Sequence, residues 1–170
     1  MRVHVLDLET TGLDPRVDRI LEVGIVRLED GVPVAEFHAL VNPGVPLRPS
    51  NIAIHGITPE MVREAPPLAE VLDDVTDFLG AESLVVGHNI AFDAAFLNAA
   101  LLRLRGVPFA LPVLDTQTWA REVFPREKAL SVERLVQLFD LPHRGFHRAL
   151  ADAQALAAVY PLLERAYEER

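Results

Sequence analysis

Apolar residues near the amino end recur at strand spacing. Residues 2–9 (RVHVLDLE) are rich in Val and Leu and run into TTG, so they predict a strand closed by a turn. Ile20–Glu29 (ILEVGIVRLE) predicts a second strand, and the Asp30–Gly31 pair after it is a hairpin signal. Residues 32–41 complete a meander. Pro33 places that third strand at a sheet edge, because proline cannot donate to an inner ladder. Residues 42–51 (NPGVPLRPSN), with three prolines and a glycine, predict loop.

Helical spacing takes over further along. Thr58 before Pro59 predicts a capped helix start. Leu68–Leu79 carries apolar residues at 68, 71, 72, 75, 78 and 79, a helical period. SLVVGHN (83–89) predicts a short strand leading into a helix over 90–104, capped by Asn89. LPVLDT (111–116) predicts a brief fifth strand, followed by helices over 116–124 and 131–139 and a last one over 148–165. A meander followed by strand–helix alternation predicts an α/β fold, a mixed sheet covered by helices, in one domain spanning 1–170.

Composition narrows the function classes. The chain has no cysteine, so thiolate chemistry and disulfides are excluded. No apolar run reaches the ~18 residues of a membrane span, and acids from position 7 onward do not fit a secretory signal. A cytoplasmic location without membrane attachment is the expectation. The net charge of −9 argues against binding nucleic acid through a generally basic surface. Residues 121–148 are an exception. Arg121, Arg126, Lys128, Arg134, Arg144 and Arg148 outnumber Glu122, Glu127, Glu133 and Asp140, so this segment is a candidate path for a phosphate backbone.

The chemistry begins in VLDLETTG. Asp7 and Glu9 are two apart on a predicted strand, so both project from one face at its carboxyl end. Two ionised carboxylates there need either arginine partners or a cation. Asp93 lies one turn into the helix that leaves the fourth strand, and Asp152 lies early in the last helix. Four acids at strand ends and helix starts can converge on hard cations through oxygen, which suits Mg²⁺ or Mn²⁺ and not zinc. His147 is five residues before Asp152, too far round one helix to share its face. It is therefore expected in the preceding loop, where a histidine can take a proton near neutral pH.

DLETTGLDP, NIAIHGIT, GHNIAFDAAFL, VLDT and HRALADA, in that order, resemble the motifs of the DnaQ-like (DEDDh) 3′–5′ exonucleases. That family includes the proofreading subunits of bacterial replicative polymerases. The resemblance covers nearly the whole chain. It implies a ribonuclease H-like fold with a five-stranded sheet whose second strand is antiparallel to the others. It also implies hydrolysis of phosphodiester bonds with two divalent cations about 3.5–4 Å apart. Carried onto these residues, Asp7 would bridge both cations, Glu9 and Asp152 would hold the one carrying the attacking water, and Asp93 would help hold the other. His147 would be the general base. Thr10, Thr11, Gly12, Leu13, Ile54, His55, Asn89 and Phe92 would contact the terminal nucleotide. The expected substrate is a single-stranded or frayed DNA 3′ end, with a replicative polymerase as a candidate partner. RNA or short oligoribonucleotides stay open as substrate, since selection for ribose rests on contacts to the 2′-hydroxyl. A non-catalytic polymerase-docking protein is the third reading, disfavoured by the five intact acid–base positions.

Overall fold

The computed structural model describes residues 2–142, 145 and 147–170. Arg144 of the basic segment lies outside them. The strands are β1 (Arg2–Thr10), β2 (Ile20–Glu29), β3 (Val32–Leu40), β4 (Leu84–Gly87) and β5 (Val113–Asp115). The helices are α1 (Pro49–His55), α2 (Pro59–Arg63), α3 (Leu68–Leu79), α4 (Ile90–Arg105), α5 (Thr116–Val123), α6 (Val132–Leu138) and α7 (Ala149–Glu168). The sheet runs in the order β3-β2-β1-β4-β5. β2 is antiparallel to β1 and β3, while β4 runs parallel to both β1 and β5.

β1 is central, and its period of two divides the core. Val3 and Val5 pack with Val26, Leu28 and Val86 under α5, α6 and α7. Leu6 and Leu8 pack with Val23, Ile25 and Val85 under α3 and α4. Asp7 and Glu9 follow Val3 and Val5 in alternation, so the sheet presents them on the α7 face. Pro33 is on the edge strand as expected, pairing only with Leu28 of β2.

Two local expectations are corrected. The stretch 42–51 is loop only to Arg48, because Pro49 sits in the first turn of α1, where its missing N–H costs nothing. Asn89 occupies the N-cap position of α4, but its side chain makes no capping bond. Its backbone is left-handed (φ 62°), and its N–H donates to Asp115 Oδ1 at 2.8 Å. Asp115 also accepts the Gln117 N–H at 2.9 Å, so one carboxylate ties the β4–α4 turn to the start of α5.

α7 meets β2 at Gly24, where a Cβ atom would lie 2.3 Å from the backbone of Ala149 and Leu150. Gly24→Ala should force α7 off the sheet and destabilise the protein by about 3 kcal/mol or more. Denaturant titration measures this, and a loss under about 1 kcal/mol would mean the helix slides freely over β2. Farther along, α7 carries Tyr160 and Tyr167, both stacked with Trp119 of α5 at ring separations of 5.9 and 4.9 Å.

Candidate active site

β1 and α7 bring three carboxylates together. One oxygen each from Asp7, Glu9 and Asp152 lies within 4.8 Å of the others. Asp93 reaches the same strand end from α4 across the sheet, and its Oδ1 accepts the Leu8 N–H at 3.0 Å. It stands outside that close group, although its charge acts on Asp7. His147 is exposed in the loop before α7, as its spacing predicted. Its backbone is left-handed (φ 65°), and its N–H donates to Asp152 Oδ2 at 3.0 Å.

The electrostatics explain what the cluster needs. Burial raises the Asp7 carboxyl well above its usual range, and the charges of Asp93, Asp152, Glu9 and Glu22 push it further. Burial and the neighbouring acids raise Glu9 to about 8, with Arg148 opposing them. Burial raises Asp93 to about 7 against the bond from Leu8. Oxygen-only donors crowded at this spacing fit a hard divalent cation, whose charge would replace the missing neutralisation.

A pH dependence follows. Between the unfolded carboxylate range near 4 and the raised folded values of 7 to 8, the native state binds more protons than the unfolded state. Stability of the cation-free protein should therefore fall as pH rises through that window. In chelator, Tm should drop by about 5 °C or more from pH 5 to pH 8, and millimolar Mg²⁺ should restore it most at pH 8. A Tm that stays flat with pH, or rises, in chelator would contradict the clustered geometry.

Beside the carboxylates is a cavity of about 160 Å³ lined by Leu8, Glu9, Thr10, Gly12, Leu13, Asn51, Ile54, His55 and Phe92. Leu13 and Ile54 stand 84% and 60% exposed at its rim. Phe92 is backed by Phe96 at 4.9 Å. His55 is buried: Nδ1 accepts the Ile57 N–H at 3.0 Å, and Nε2 has no partner among the described residues. Thr11 and Asn89 do not line the cavity. The Thr11 hydroxyl turns back to accept the Arg19 N–H and reach Asp18. Thr10 Oγ1 donates to the Gly12 carbonyl at 2.6 Å and so shapes the turn.

Sequence reasoning missed two acids that hold this frame. Asp18 is buried behind the turn, where it accepts the Asp14 N–H at 3.0 Å and pairs with Arg48 at 2.9 Å. Glu22 is fully buried on the α7 face of β2, paired with Arg148. The signal for Glu22 was present, as one acid inside the apolar run ILEVGIV. The basic segment is also less available than its net charge suggested, because Arg134 is paired with Glu127 and Arg148 with Glu22.

A mixed five-stranded sheet with oxygen-donor carboxylates gathered at the end of its central strand fits the class of metal-dependent nucleases. The sequence model of the exonuclease family matches residues 4–160, and the chain belongs to that family, with a ribonuclease H-like fold. The DNA polymerase III epsilon subunit of Aquifex aeolicus is 35% identical over 156 residues, covering 92% of this chain and 77% of that protein. The PolC-type DNA polymerase III of Thermotoga petrophila is 37% identical over 156 residues, and the chain spans 11% of its length. Among solved structures, Exonuclease X in complex with 5′-overhanging duplex DNA aligns with a TM-score of 0.78 at 29% identity, covering 96% of this chain and 91% of that one. Among the described residues, no helix is long and apolar enough to cross a membrane.

Proposed function

We propose that the protein removes nucleotides from the 3′ end of single-stranded or frayed DNA, with Mg²⁺ or Mn²⁺ as its cation. The observation that carries this reading is the convergence of Asp7, Glu9 and Asp152 within 4.8 Å beside the Leu13–Ile54–Phe92 cavity. Asp7, Glu9 and Asp152 would hold the cations, with Asp93 assisting from α4. Bound there, the ions would offset the charge that builds on the phosphate as its bond to the leaving oxygen breaks.

The rest falls to the protein's own groups. The turn from Thr10 to Leu13 seats the terminal sugar and phosphate through backbone groups, without reading sequence. Leu13, Ile54 and Phe92 offer apolar faces to bases, a contact that tolerates any of the four. His55 lines the cavity, and with Nδ1 accepting from Ile57 its buried Nε2 is the nitrogen that carries the proton. His147 takes the proton of the attacking water from the solvent side. DNA as substrate is supported by the DNA polymerase III relatives and the DNA-bound Exonuclease X, and those relatives also support a proofreading setting beside a polymerase.

Oligonucleotides labelled at the 5′ end, incubated with Mg²⁺ or Mn²⁺, should shorten in single steps from the 3′ end, with mononucleotide release seen from the 3′ label. DNA should be cut faster than RNA, and mismatched duplex ends faster than paired ones. Shortening of RNA alone would transfer the substrate to RNA. No mononucleotide from either polymer would refute the reading.

A further inference from the structure

We propose that Glu22, acting through Arg148, is a positioning residue of this active site: a buried clamp that fixes the start of α7 and thereby places His147 and Asp152 over Asp7 and Glu9. The inference rests on the hydrolytic reading above and adds to it a residue that never touches substrate.

Glu22 has no solvent exposure, and two of the residues it holds, Arg148 and Ala149, directly follow His147. Arg148 Nε donates to both carboxylate oxygens at 3.1 Å, and Arg148 Nη2 reaches Oε2 at 2.6 Å. The Ala149 N–H, one of the first-turn donors that a helix leaves unsatisfied, donates to Oε1 at 2.7 Å. His38 Nε2 lies 2.9 Å from Oε2. Residues 148 and 149 directly follow His147, and the His147 N–H is tied forward to Asp152. The segment from 147 to 152 is thus pinned to β2 at one point, two residues from the close approach at Gly24.

Two further facts favour placement over simple stability. A buried ion pair is commonly no more stabilising than an apolar pair of the same size, so holding the fold alone does not call for one here. Glu22 is also directly opposite Glu9 in the β1–β2 register. Fixing Arg148 against Glu22 therefore sets a guanidinium beside the cation-binding carboxylates, where it offsets charge without occupying the site. A positioning partner of this sort typically contributes about 10- to 100-fold in activity or metal affinity.

The test compares Arg148→Met with the double variant Glu22→Leu/Arg148→Met, in which the buried ion pair becomes an apolar pair. Both should fold cooperatively, the double variant with a Tm near that of the parent. Both should lose about 10- to 100-fold in kcat with oligonucleotide KM nearly unchanged, and calorimetry should show weaker Mn²⁺ binding. A merely structural role predicts that the double variant, once stable, recovers kcat; recovery to within threefold of the parent would overturn the proposal. If the double variant does not fold, Arg148→Met decides alone, since Arg148 is partly exposed and Glu22 keeps His38 and the Ala149 N–H as partners. Parent-like kcat and Mn²⁺ affinity in it would overturn the proposal equally. An unmodified protein that cleaves nothing would instead remove the hydrolytic reading beneath it.

Discussion

Asp7→Ala should abolish hydrolysis while raising the melting temperature of the cation-free protein. The two effects share one cause. Asp7 stands on the central strand of the sheet, opposite Gly24 of β2, and its carboxylate lies close to those of Glu9 and Asp152. Loss of this proposed cation ligand would remove stabilisation of the transition state worth several kcal/mol, about 10³-fold or more in rate. Without cations, however, the same carboxylate is a buried group whose ionised form burial and four neighbouring acids oppose. Deleting it relieves that repulsion, and each kcal/mol regained is about 2–4 °C in Tm. Single-turnover release from a 3′-labelled oligonucleotide and thermal unfolding in chelator measure the pair. Full activity would contradict a role in cation binding, and a Tm well below the parent would mean the carboxylate is structurally required.

His147→Ala should cost about 10²- to 10⁴-fold in turnover with Mn²⁺ affinity within about threefold of the parent. His147 is exposed, and its backbone N–H is tied to Asp152. Because residue 147 is left-handed, alanine adds backbone strain of its own. His147→Asn controls for this: asparagine tolerates that conformation but is no base, so it should be as slow as alanine. Equal loss of turnover and Mn²⁺ affinity would make His147 a ligand, and an active Asn variant would remove it from proton transfer.

Much of this was legible in the sequence because strand geometry is a local property. Alternation in VHVLDLE placed Asp7 and Glu9 on one face, and the count from His147 to Asp152 separated loop from helix. The hidden parts depend on distant docking. Glu22 and Arg148 are 126 positions apart, and only the seating of α7 on Gly24 makes them partners. Pro49 reads as a breaker until the chain around it is seen to start a helix. Asn89 reads as a cap, but an acid from β5 satisfies its backbone and leaves its side chain out of that role. The surplus of arginines over 121–148 similarly read as a field, and folding spent two of them on Glu127 and Glu22.

Trp119 is the chain's single tryptophan, and it shares a stack with both of the chain's tyrosines, Tyr160 and Tyr167. Both partners ride on α7, the helix that delivers Asp152. Its ultraviolet emission is therefore a built-in, label-free gauge of how firmly that helix is seated. Because a lone indole, excited to the red of tyrosine absorption, gives a signal from one place, cation loading, clamp breakage and unfolding can each be followed at the same point in the same cuvette.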